Sequence, residues 1–266
     1  MNVDINNKQK KSDMKSIVKK MILGAAICSL SFPLVRAQED ENGVKFAVQG
    51  DLVSSYIWRG MYQTGASFQP TFGLSAGGFS LTAWGSTDFD GNSSAEGKAN
   101  KEIDLTAAYT FGNSGLTLSI ADLWWAGENG TNNNKYFNFK SHETAHHFEA
   151  GLAYMLPVEK FPLSIAWYMM FAGLDKDEKG DQNYSSYVEL NYPFSVKRVD
   201  LNVTCGIVPY EAPQYCTNGF AVTNVALKGT TAIKVTDSFS LPIFAQAIWN
   251  PRLENAHLVF GFTLRP

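Results

Sequence analysis

From Gly43 to the C-terminus the chain alternates apolar and polar residues in blocks of roughly ten, joined by links that are alternately short and long. Few folds accept that double rhythm. A membrane-spanning strand needs about 9–11 tilted residues, and its side chains point in turn to lipid and to lumen. Turns on one side of such a barrel are short, and loops on the other are long. The pattern therefore predicts an all-β fold: a closed antiparallel up-and-down transmembrane β-barrel.

The first predicted strand, Val44 to Arg59, sets the alternation: Val44, Phe46, Val48, Leu52, Tyr56 and Trp58 on one face, Lys45, Gln49, Asp51, Ser55 and Arg59 on the other. Further strands are expected at 67–76, 79–89, 101–111, 116–125, 147–156, 161–172, 184–194, 198–208, 223–235, 238–249 and 255–265, twelve in all. Gly77-Gly78, Gly112 to Gly115, Pro157 to Lys160, Ser195 to Lys197 and Thr236-Asp237 have tight-turn chemistry. Between them fall the long links Met61–Ala66, Asp90–Asn100, Ala126–His146, Gly173–Asn183, Val208–Val222 and the shorter Asn250–Glu254. An even strand number returns both termini to the short-turn side. No internal repeat or linker divides residues 38–266, so one barrel domain is expected.

Aromatic placement agrees. Trp58, Phe89, Trp124, Phe171 and Trp249 fall near the long-loop ends, and Phe46, Phe79, Phe111, Phe161, Tyr192 and Phe239 near the short-turn ends. Two aromatic bands bordering an apolar belt suit the two membrane interfaces. Three residues sit awkwardly. Pro70 and Pro242 each remove a ladder donor, and Asp122 shares its register with Leu118 and Trp124, facing lipid unless a bulge re-aims it.

Residues 1–37 read as a cleaved secretory signal. Six lysines precede an apolar stretch from Met21 to Val35, and Val35-Arg36-Ala37 offers a small-residue cleavage site. Those residues hold seven of the 22 Lys and Arg and two of the 25 Asp and Glu, leaving 15 against 23 and a net charge of −8. Such an acidic exported chain argues against nucleic-acid binding, and the export signal together with the barrel rhythm predicts the bacterial outer membrane, with lipid as its surroundings. Cys205 and Cys216 survive cleavage. They form either a disulfide across one loop or two free thiols, one of them facing lipid.

Ser54-Ser55-Tyr56-Ile57-Trp58-Arg59-Gly60-Met61-Tyr62-Gln63-Thr64, followed by Gln69-Pro70, resembles the opening of the Gcw_chp (TorF-like) family of uncharacterised outer-membrane proteins. Trp84-Gly85-Ser86, Glu102 to Leu105 and Tyr187 to Leu190 are similar to it more loosely. The resemblance implies a small outer-membrane barrel and adds little about activity, although some relatives are labelled porins.

Two sets of residues bear on chemistry. His142-Glu143-Thr144-Ala145-His146 has zinc-protease spacing, with His147 beside it. That motif needs a helix, and here it runs into a strand. A lipid hydrolase would need a serine paired with His147 or His257, and none stands out. Neither an enzyme nor a cofactor is expected. The second set projects into the lumen: Asp51, Asp88, Glu102, Asp104, Glu149 and Glu189, with Arg59, Lys228 and Lys45 against them. One reading is a cation-favouring constriction in a narrow channel for ions or small solutes. The other is an interior salt-bridge network in which Arg59 ties down Asp88 and Glu102 and plugs the bore. A non-conducting barrel that displays Ala126–His146 to a partner is the alternative function.

Overall fold

A computed structural model describes residues 38–39, 43–89, 101–126, 135–158 and 161–265. The signal segment predicted for residues 1–37 lies outside them. Twelve strands form the wall: β1 Val44–Val53, β2 Ser67–Ala76, β3 Phe79–Asp88, β4 Lys101–Thr110, β5 Leu116–Trp125, β6 His146–Met155, β7 Ser164–Gly173, β8 Ser186–Val196, β9 Val199–Val208, β10 Ala221–Lys234, β11 Ser240–Asn250 and β12 Asn255–Leu264. Each pairs antiparallel with its sequence neighbours, and β12 pairs with β1 to close the tube. The twelve-stranded closed barrel read from the alternation is the fold observed.

Period two sorts the side chains as each strand requires. Phe72, Leu81, Leu105, Ile120, Leu227 and Phe260 point outward and are exposed, while Thr71, Thr82, Thr106, Thr117, Thr204 and Thr263 point inward and are buried. In water each exposed large side chain would forgo about 1.5–3 kcal/mol of burial, so an apolar skin of this extent belongs in hydrocarbon. The barrel therefore spans a membrane. Its interior combines polar side chains with an aromatic-rich cluster that includes Trp58, Trp84, Trp125 and Tyr187.

The prolines fall where the ladder is already broken. Pairing between β2 and β3 lapses at Gln69 and Pro70 and resumes at Thr71. The β11–β12 register begins at Ile243, one residue beyond Pro242. Asp122 is not re-aimed by a bulge: it pairs regularly between Leu105 and Phe148 and stays on the outer face.

The first strand departs from expectation. It ends at Val53, not at Arg59. After a bend at Ser54 the chain leaves the wall and forms a two-stranded hairpin, Tyr56–Trp58 paired with Met61–Thr64, before rejoining it at Ser67. Sixteen residues are more than a tilted span of about 9–11 can hold. Trp58 consequently belongs to the interior and not to an outer aromatic band.

Candidate functional site

The Tyr56–Thr64 hairpin is a plug. Its turn places Arg59 at φ +50° and Gly60 at φ +84°, the pair of positive values that a two-residue turn of the type I′ class requires. Glycine fits that backbone freely, and it is also the residue that the crowding allows. A methyl group on Gly60 would come within 1.9 Å of the Thr223 carbonyl oxygen on β10. Asn250 Nδ2, at the end of β11, donates to the Gly60 carbonyl at 3.2 Å, fixing the tip against the wall.

From this tip Arg59 crosses the bore. It donates through Nη1 and Nη2 to the two carboxylate oxygens of Glu149 on β6, at 2.6 and 2.9 Å. Nη1 also donates to the Tyr215 hydroxyl. The guanidinium carbon lies 4.7 Å from the Trp58 ring centroid, 4.6 Å from Tyr168, 4.7 Å from Tyr187 and 5.8 Å from Tyr215. A buried cation is tolerable when it is paired and hydrogen-bonded, and stacked aromatic faces add to its support. Both side chains of the ion pair are nearly inaccessible, at 1% and 5% exposure.

A second loop reinforces the plug from the far wall. Between β9 and β10 the chain turns inward through the short 3-10 segment Pro213–Tyr215, and Cys216 adopts a left-handed conformation to close it. Tyr215 is fully buried and stacks on Trp58 at 5.6 Å, while Trp58 meets Trp125 edge-on at 5.4 Å. Burial, the largest influence, raises the Tyr215 phenol above its ordinary range, so Arg59 meets a neutral hydroxyl. The hydroxyl end of Tyr187 sits against Gly206 of β9, where any side chain would collide with it.

Apart from Arg59, the predicted lumen charges lie on the inner register of the wall, and the structure gathers them into separate groups. Arg59 binds Glu149, not Asp88 and Glu102 as the sequence suggested, because the hairpin carries it across the bore instead of leaving it in the wall. Glu102 and Asp104 lie two residues apart on the inner face of β4, both close to Tyr56 of the plug. Asp51 is the register partner of Thr263 and faces Lys228, whose ammonium sits 4.2 Å from the Phe244 ring centroid. Glu189 accepts from Tyr187 at 3.0 Å and Asn191 at 2.8 Å. Asp88 is buried at the rim opposite Ser67. Beneath the plug remains a cavity of about 130 Å³, with Gln49, Asp51, Trp84, Asp104 and Lys228 in its wall.

Two other sequence features take their places. Cys205 and Cys216 are free thiols: Cys205 is on the outer register of β9, whereas Cys216 belongs to the loop turned into the bore. The HExxH segment is turn followed by strand, so it lacks the helix that zinc ligation needs, and the described residues contain no metal-binding cluster. His146 opens β6 on the outer face instead. Its Nδ1 donates to Asp122 Oδ1 at 2.6 Å, and Nε2 meets the Tyr136 carbonyl, under a cover of Tyr136 and Phe139. The missed participants are Tyr187, Tyr215 and Gly60, together with this outer pair. The signal for Gly60 was an Arg-Gly step inside an overlong strand; Tyr215 had none.

No curated protein matches the chain. Solved structures that overlap it include OmpF of Salmonella typhi in complex with daunomycin, at 8% identity and a TM-score of 0.35, and the β domain of the Bordetella autotransporter BrkA, at 15% and 0.27. Each comparison covers 85% of this chain and 99% of the other. Overlaps this shallow bear on neither mechanism nor substrate. Residues 37–229 match the profile described as "Bacterial protein of unknown function (Gcw_chp)", and over that span the protein belongs to the Gcw_chp family.

Proposed function

We propose that this protein is exported to the bacterial outer membrane by its N-terminal segment and acts there as a narrow channel for ions or small solutes. Its own first hairpin stoppers the mouth at the long-loop end. One observation carries the reading. Below the plug the bore keeps a cavity bordered by polar side chains such as Gln49, Gln69, Thr71, Thr106 and Ser119 alongside the rings of Trp84 and Phe244. A barrel needed only as a support gains nothing from such a cavity, whereas a solute path requires it. Closure is concentrated in one latch, Arg59 on Glu149, which a bistable element could release.

The favoured test is planar-bilayer recording of refolded protein. Wild type should open rarely and favour cations, because the interior carries more carboxylates than cations. Removing residues 55–65, or replacing Arg59 by Ala, should raise open probability by about ten-fold or more, the scale of losing one buried ion pair. Barrels that insert yet stay silent in all three forms would refute the channel. The non-conducting display barrel would then stand, supported by the segment 135–145 folded over the outer wall with Phe137 at 87% exposure.

A further inference from the structure

The cavity beneath the plug has the chemistry of a binding site. Gln49 Oε1 and Asp104 Oδ1 belong to residues only 6% exposed, line the cavity, and have no hydrogen-bond partner; Asp51 Oδ1, on a half-buried lining residue, also has none. All three are acceptors. A buried acceptor left without a donor is costly, so the site is built for a guest that brings donors.

Charge narrows the guest further. Arg59 and Glu149 neutralise each other, and Asp51 faces Lys228. Asp104 is the remaining charged group of the lining and the excess, and it lies on the wall away from Lys228. An anion would be repelled there. Aromatic faces complete the lining: Trp84 and Tyr56, in contact at 5.4 Å, with Tyr168 and Phe244 further round. A bare metal ion would make no use of the apolar part of those faces, whereas an alkyl chain carrying an ammonium group would. We infer that the cavity binds a small organic cation of the primary ammonium class, its N–H groups on Asp104 and Gln49 and its carbon chain against Trp84. The site deepens the channel reading, on which it rests for the route by which a guest enters.

Butylammonium and tetramethylammonium are isomers of equal charge that differ in having or lacking N–H donors, and butan-1-ol is a neutral counterpart. Equilibrium dialysis of each against folded, detergent-solubilised wild type should show butylammonium bound about ten-fold more tightly than either comparator. Asp104→Asn should weaken it by a similar factor. Gln49→Leu, which leaves the charge intact, provides a second variant if the first fails to refold. Equal binding of the two isomers, no binding of butylammonium, or affinity unchanged in the refolded variants would overturn the assignment. Dialysis needs no conduction, so the two proposals fail separately. Binding without conductance would refute the channel alone, and conductance without binding would refute this site alone.

Discussion

Arg59 holds a left-handed backbone that non-glycine residues rarely adopt, a charge removed from water, and a place in the middle of a membrane barrel. Each of these is costly, and Glu149 with the surrounding rings offsets them together. Removing one partner of such a pair leaves the other charge stranded. Glu149→Gln should therefore lower stability by about 3 kcal/mol, near the low end for a broken buried pair. Urea titration in detergent, followed by the fluorescence of Trp58 in the plug and of Trp125 packed against it, would measure it. Arg59→Lys should rescue little, because an ammonium cannot form the two parallel bonds to Glu149. Gly60→Ala tests the tip without touching charge. Its methyl would run into the Thr223 carbonyl, so the same fluorescence change should appear, while Gly219→Ala, with open space around it, should be silent. A Gly60→Ala protein indistinguishable from Gly219→Ala would remove the tip from the latch.

At the scale of elements, wall and plug differ in how plainly the sequence declares them. Ile103, Leu105, Ala107 and Tyr109 against Glu102, Asp104, Thr106 and Ala108 can form only a two-faced strand, because both solvents act on every residue. The hairpin at Tyr56–Thr64 continues the same period two, so only its surplus length, the Ser54-Ser55 step and Arg59-Gly60 hint that it leaves the wall. Tyr215 could not be foreseen, since its partners come from Arg59 and Trp58, far away in the chain. Asp122 is a third case: the sequence showed a carboxylate on the lipid side but not its remedy. His146 and the 135–145 segment supply that remedy from the next strand and loop. His146→Leu should cost about 1–3 kcal/mol by leaving the Asp122 carboxylate without its donor, whereas Asp122→Leu combined with His146→Leu should recover most of the loss. A double-mutant cycle by urea unfolding measures the difference, and strictly additive effects would show that the two side chains do not act as a pair.

For the whole molecule, closure is the weakest step. Between β12 and β1 the register holds only from Gly261 opposite Val53 to Leu264 opposite Gly50, whereas β1 and β2 stay paired from Val44 to Val53. Ser54 extends the seam by one rung, its amide donating to the Phe260 carbonyl and its hydroxyl accepting from the Phe260 amide. Above that rung β1 has turned inward to become the plug. Below it, the lower edge of β1 is met instead by Gln38 and Glu39, opposite Phe46 and Lys45. The geometry that stoppers the bore thus shortens the seam, and plug and closure are coupled. Because alternate amides of a strand point to opposite neighbours, Leu258 and Ala256 share the side of Phe260, beyond the reach of β1. Their amides should exchange with deuterium faster than those of His257 and Val259, which face β11. Ser54→Ala should extend that fast exchange to Phe260 while leaving the β5–β6 ladder protected. Uniform protection along β12 in wild type would mean that the hairpin seals the upper seam as fully as a strand would, and that withdrawing it should open the wall as well as the mouth.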